Sequence, residues 1–259
     1  MPGRTYTPGR RGWKQFNERH GLTRACSRQG GSLCWNDRLA AAAALQLKRL
    51  SLDSPKLGGA DSQMTAAVHV LVFDGFADWE PAFALAELRR SGRLDVVTLG
   101  FSEAPVRSMG GLRVVPDRSL AGLDPTTVRL LMLPGGDLWE GEYPQRELKD
   151  VLAALHQAGV PIAAICGATL ALARAGWLDD HAHTSNELAY LERMVPTYAG
   201  AARYVDALAV RDRGVITASG VGPTEFAREI FEELQIFSPA DRAVWYHLFK
   251  QGRFPAPAV

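Results

Sequence analysis

The sequence predicts an α/β domain built on a mostly parallel sheet with helices packed on both faces. Two observations predict it. From residue 64 onward, short runs rich in Val, Ile and Leu alternate with helical segments of 10–13 residues, the order that a parallel sheet with crossover helices produces. Those runs are continuous in their hydrophobicity, as strands buried on both faces require.

The elements follow in order. Residues 66–73 (AAVHVLVF) read as the first buried strand, and residues 78–90 as a helix with Pro81 in its first turn, where a missing N–H costs nothing. Residues 94–99 (LDVVTL) read as the second strand. Two short extended segments flank residues 109–111. Residues 129–133 (RLLML) form the third core strand and stop at Pro134-Gly135-Gly136. An amphipathic helix spans 145–157, the fourth core strand spans 161–165 (PIAAI), and a helix spans 167–175. A brief strand at 183–185 precedes a helix at 187–194. Residues 207–210 and 215–217 pair as a hairpin around Asp212-Arg213-Gly214. Helices at 223–234 and 239–250 complete the domain. Crossovers are expected to be right-handed.

Residues 1–63 have a different character. They hold 11 Lys/Arg against 4 Asp/Glu, whereas residues 64–259 hold 18 against 24, so the net charge of +1 combines +7 in the leader with −6 in the domain. A net-negative domain argues against a nucleic-acid surface, and no apolar run approaches the ~18 residues of a membrane span. The leader reads as a basic, disordered segment or as an over-extended reading frame with the true start at Met64; its one apolar stretch, residues 39–47, is short for an isolated helix. Cys26 and Cys34 lack metal-ligand spacing. Cys166 is the single cysteine of the domain, a pattern that fits a reducing, cytoplasmic compartment. No metal and no cofactor is expected.

In such a sheet, ligands bind beyond the carboxyl ends of the strands. Three segments end there with distinctive chemistry: 73–80, 134–137 and 166–169. In Ala164-Ile165-Cys166-Gly167-Ala168-Thr169 a buried strand runs straight into a helix, with small residues around the cysteine. This has the logic of a nucleophile elbow, in which a tight turn thrusts the nucleophile outward. A helix N-terminus there favours thiolate. The competing reading is a core cysteine. Glu80, in the opening turn of the first helix, is either a dipole-complementing acid or a proton carrier for the thiol, close to the elbow if the first and fourth core strands are neighbours. Gly136 and Gly167 offer backbone N–H groups for an oxyanion hole, although Pro-Gly-Gly is equally a plain turn. Trp79, Trp139, Asp137 and Thr169 are candidate pocket residues. His181 and His183 are the remaining candidates for a base, and His69 reads as a core histidine.

Taken together, residues 75–80 (GFADWE), 133–137 (LPGGD) and 164–169 (AICGAT), with Gly176-Trp177-Leu178-Asp179 and Thr184-Ser185-Asn186, resemble the ThiJ/PfpI superfamily. That group has the class I glutamine amidotransferase-like fold and includes the parkinsonism-associated deglycase. The resemblance implies a flavodoxin-like three-layer α/β/α sandwich, commonly a homodimer. It implies that Cys166 is the reactive, oxidation-prone cysteine and Glu80 its carboxyl partner, with Gly136 and Gly167 as backbone donors. Where many active members carry a histidine, this chain carries Asn186, which puts a Cys-His protease or full glyoxalase mechanism in doubt. His183 would have to substitute from the other side of the strand, which a period of two makes awkward.

Two classes of function follow. One is a cysteine-dependent enzyme acting on a small electrophile or amide: glyoxalase or deglycase, isonitrile hydratase, peptidase or amidase. The other is a non-enzymatic oxidative-stress sensor that uses Cys166. A glutaminase triad would need a late histidine, and Glu225 comes without one. A regulator with a DNA-binding tail needs more chain than follows residue 234.

Overall fold

A computed structural model of the chain describes residues 66–253. The expectations for residues 1–63, including the helix at 39–47 and the roles of Cys26 and Cys34, lie outside the described residues.

Seven strands form the main sheet: β1 (Ala67–Leu71), β2 (Val96–Gly100), β5 (Arg118–Ser119), β6 (Val128–Leu133), β7 (Ile162–Ile165), β8 (Ala209–Asp212) and β9 (Val215–Ala218). Their spatial order is β5-β2-β1-β6-β7-β9-β8. Every neighbouring pair is parallel except β8 and β9, which form the expected hairpin. Arg213 and Gly214 turn that hairpin with φ of 47° and 80°, the paired left-handed conformations that a two-residue connection between twisted strands demands. A separate small ribbon pairs β3 (Val106–Arg107) with β4 (Arg113–Val114).

The helices are α1 (Trp79–Arg90), α2 (Gln145–Gln157), α3 (Thr169–Arg174), α4 (Leu188–Met194), α5 (Pro223–Glu233) and α6 (Pro239–Gln251). Alternation along the strands sends neighbouring residues to opposite faces. Leu131, Leu133, Ile162 and Ala164 pack with Leu148, Leu152, Leu170 and Leu191, drawn from α2, α3 and α4. Leu130, Met132, Ala163 and Ile165 pack with Ala84, Leu88, Phe226, Ile230 and Trp245, drawn from α1, α5 and α6. The result is the three-layer, flavodoxin-like α/β/α arrangement. Among the described residues, no helix is long and apolar enough to cross a membrane.

One expectation needs correction, and one condition is not met. The brief strand at 183–185 is only an isolated bridge between His183 and Tyr204; the Thr184 N–H goes to the Thr217 hydroxyl and not to a neighbouring strand's backbone. The first and fourth core strands are not neighbours, because β6 lies between β1 and β7. After β5 the chain crosses to the other side of β1 to lay down β6. That reversal makes a topological switch point at the carboxyl ends of β1 and β6, and the candidate site lies beside it.

Candidate active site

Cys166 follows the fully buried strand β7 and has φ of 60°, a left-handed conformation that costs a non-glycine residue roughly 1–3 kcal/mol. The chain turns there through one 3₁₀ turn, Cys166–Ala168, into α3. Neighbouring contacts hold the turn. The Thr169 hydroxyl donates to the Cys166 carbonyl at 2.7 Å and lies 2.7 Å from the Ser185 hydroxyl. A Cβ at Gly167 would sit 3.2 Å from the Gly136 carbonyl oxygen, so the small residue after the cysteine lets the turn at the end of β6 close over it. The side chain of Cys166 is half-buried.

Glu80 reaches this thiol across an intervening strand. It stands in the first turn of α1 and is only 1% exposed. Its Oε2 accepts the Gly135 N–H at 2.6 Å. A Cβ at Gly135 would lie 2.7 Å from both the Cys166 Cβ and the Glu80 Oε2. Because Gly135, two residues past the end of β6, has no side chain, the carboxyl can span the gap that strand order alone would leave. On the opposite side, a Cβ at Gly220 would lie 2.9 Å from the Cys166 sulfur and 3.2 Å from the Glu80 Oε1. The two glycines clasp the cysteine–glutamate pair.

Electrostatics favour protons on this pair. Burial pushes the Glu80 carboxyl up to about 7, against the opposing pull of the Gly135 N–H and of its hydrogen bond with Cys166. Burial likewise raises the Cys166 thiol, helped by the Glu80 charge and opposed by donors from Asn186 and Gly167. The expectation that a helix N-terminus favours thiolate at Cys166 thus meets an opposing shift. Helix α3 is a six-residue helix set behind a 3₁₀ turn, and burial beside an acid works against the thiolate.

A DJ-1/PfpI family profile matches residues 66–233. The chain belongs to the DJ-1/PfpI family. The protein named Uncharacterized protease YoaZ, from Bacillus subtilis (strain 168), is 41% identical over 194 residues, covering 72% of this chain and 91% of that protein. Protein dj-1beta of Drosophila melanogaster is 32% identical over 175 residues, 66% of this chain and 90% of its own. Among solved structures, the DJ-1 superfamily protein Atu0886 from Agrobacterium tumefaciens matches with a TM-score of 0.67 at 37% identity, over 73% of this chain and 100% of that one.

Within this DJ-1/PfpI chain the other candidates separate cleanly. Asn186 is at the thiol: its Nδ2 donates to the Cys166 sulfur at 3.4 Å, and its Oδ1 accepts the Gly220 N–H at 2.9 Å. Thr169 is fully buried and supports the turn. Asp137 is exposed at the start of the 3₁₀ turn Asp137–Glu140. Trp79 is 49% exposed at the head of α1, whereas Trp139 is buried and donates its Nε1–H to the Pro134 carbonyl at 2.8 Å. His183 is not a pocket residue. Its Nδ1 lies 2.8 Å from the His181 carbonyl and its Nε2 2.6 Å from the Tyr198 hydroxyl, inside the core. His181 is held by the Trp177 carbonyl and Asp180. His69 is a buried core histidine whose Nδ1 lies 3.1 Å from the Ala67 carbonyl. Among the described residues, no three His, Cys, Asp or Glu side chains come together as a metal site.

Sequence reasoning missed Gly220 and gave Gly135 no role of its own. The signal for Gly220 was present: Ser219-Gly220-Val221-Gly222 follows β9 just as Pro134-Gly135-Gly136 follows β6. Tyr190, which donates to Glu140 at 3.0 Å near the elbow, carried no local signal. Because a methyl group at Gly220 would press on the sulfur, Gly220→Ala is expected to fold while slowing alkylation of Cys166 by iodoacetamide about tenfold or more. Timed mass spectrometry of the Cys166 peptide checks this.

Proposed function

We propose that this protein is a cysteine-dependent enzyme that adds the Cys166 thiol to the carbonyl of a small electrophile, with Glu80 moving the proton. The observation that carries the reading is the buried Glu80 carboxyl beside the sulfur, held by the Gly135 N–H at 2.6 Å and raised to about 7. A carboxyl poised near neutrality both accepts and returns a proton at working pH.

With an α-oxoaldehyde such as methylglyoxal, the sulfur bonds to the aldehyde carbon and the carbonyl π pair moves onto oxygen. The thiol proton passes to the Glu80 carboxylate and from there to the new oxygen, leaving a neutral hemithioacetal. Glu80 then takes the proton from the carbon bearing sulfur. Its return to the adjacent carbon, with the hydroxyl proton moving to that carbon's oxygen, yields a lactoyl thioester. Water hydrolyses the thioester to lactate and frees the thiol. Developing negative charge on oxygen would be met by the Gly136 and Gly167 N–H groups.

Amide hydrolysis is the less favoured chemistry. Asn186 donates to the sulfur, and a carboxamide cannot protonate a leaving amine, whereas the isomerisation above asks no proton of that position. The expected result is lactate release from methylglyoxal by the full chain, with no cleavage of an unfolded protein substrate such as casein. Casein cleavage without lactate would overturn this reading.

A second reading, oxidant sensing, is favoured by the donors around the sulfur. The protonated form of Glu80, present beside the carboxylate at neutral pH, together with the Asn186 amide, would hydrogen-bond a sulfenate or sulfinate at Cys166. Because the oxidised sulfur is held while the thiol itself is not activated, mild peroxide is expected to leave sulfenate or sulfinate accumulated at Cys166 ahead of Cys26 and Cys34. Equal oxidation of all three, read by peptide mass spectrometry, would remove this reading.

A further inference from the structure

We infer that a second, cation-lined cavity between α2 and α3 binds a small oxyanion, a carboxylate or a phosphate carried on an apolar body. The cavity measures about 270 Å³, and its lining includes Tyr143, Gln145, Arg146, Lys149 and Arg174. Three cations line it and no carboxylate does, on a domain whose net charge is −6. Helix periodicity produces the separation. Gln145, Leu148, Lys149 and Leu152 share one face of α2 and look into the cavity, as spacings of three, four and seven residues dictate. Glu147 and Asp150 fall on the adjoining face and line a neighbouring depression with Ala121 and Gly122, to which Arg146 also contributes.

The three cations differ in how they are held. Arg174 is pre-positioned: its Nη1 donates to the Trp139 carbonyl at 2.6 Å and to the Tyr143 hydroxyl at 3.3 Å, with the guanidinium 5.7 Å from the Tyr143 ring centroid. Its Nε and Nη2 make no protein hydrogen bond among the described residues. Arg146 and Lys149 have neither an ion pair nor a hydrogen bond there. A pinned guanidinium with free donors suits the planar or tetrahedral face of an oxyanion, and the two exposed cations can add their charge to it. The floor is apolar, formed by Leu148, Leu152, Ala171 and Ala175. A charged head on an apolar body therefore matches the cavity better than a bare ion does.

This site lies apart from Cys166, so its test does not depend on the thiol chemistry. Isotopically labelled full-length protein would be titrated with phenyl phosphate, benzoate and neutral benzamide while amide shifts are followed by NMR. Saturable shifts centred on residues 143–152 and 171–175 are expected for phenyl phosphate or benzoate, and the tighter of the two names the headgroup. Benzamide is expected not to saturate. The double variant Arg146→Gln/Lys149→Gln should weaken binding about tenfold or more, Lys149→Arg should retain it, and alkylation of Cys166 should be unchanged in both. Three results would overturn the inference: no saturation by either anion up to ~10 mM, benzamide binding as tightly as the anions, or affinity indifferent to the double variant.

Discussion

Replacing Cys166 with alanine is expected to lower kcat/KM for methylglyoxal by roughly 10³-fold or more, since the bond-forming atom is removed and the remaining donors can only polarise the substrate. The fold should persist. The Cys166 backbone is held by the Thr169 hydroxyl and the flanking glycines, not by its sulfur, and alanine keeps the Cβ that packs against Gly135. Loss of activity with an unchanged thermal transition separates a nucleophile from a packing residue. Cys166→Ser should behave similarly, because a serine hydroxyl in that setting is not ionised by a carboxyl titrating near 7. Lactate release measured beside a thermal melt checks both variants.

Glu80→Gln is expected to trade activity for stability. A carboxyl whose folded value is raised from 4.5 to about 7 contributes stability that is fully present below pH 4.5 and is lost as pH rises through about 7. At 1.36 kcal/mol for each unit, the wild type gives up about 3 kcal/mol across that window. Glutamine is neutral throughout, and its Oε1 can still accept the Gly135 N–H. The variant should therefore match the wild type near pH 4 and exceed it by up to about 3 kcal/mol near pH 8, a difference that denaturant melts at the two pH values would resolve. Turnover should respond in the opposite sense. Wild-type activity should rise as pH passes through about 7 and Glu80 becomes the base. In Glu80→Gln that limb should vanish along with most of the activity. Equal stability of the two proteins at pH 8 would show that the carboxyl is better solvated than its burial implies.

The layers of the fold were legible because continuous apolar runs and helical periodicity are local signals. The boundaries moved little: α2 at Gln145–Gln157 is the expected helix, and α5 ends at Glu233, one residue early. Strand order was not legible. Nothing local to β1 or β7 says that β6 lies between them, so the adjacency on which the strand argument was conditional does not hold, and the proximity of Glu80 to Cys166 that the family resemblance implied arises from the missing side chain at Gly135.

The candidate site divides in the same way. The turn at Cys166 was readable from Ala-Ile-Cys-Gly-Ala-Thr, since a strand running into a helix through small residues has few conformations open to it. The misplacement of His183 came from the opposite circumstance. A residue in irregular backbone has no period to announce its direction, and three core partners, the His181 carbonyl, Tyr198 and Tyr204, claim the ring. The upward push on the Cys166 thiol was also hidden, because the helix-dipole argument is local while the desolvation that opposes it comes from chain distant in sequence.

The central claim is that Cys166 and Glu80 form one proton-sharing pair beside the switch point. Carboxyl carbon NMR of glutamate-labelled full-length protein, followed from pH 3 to pH 9, tests it most directly. The account predicts one glutamate resonance titrating at about 7, absent in Glu80→Gln and displaced in Cys166→Ala. A Glu80 resonance titrating in the ordinary carboxylate range of about 4 to 5, and unmoved by Cys166→Ala, would contradict it.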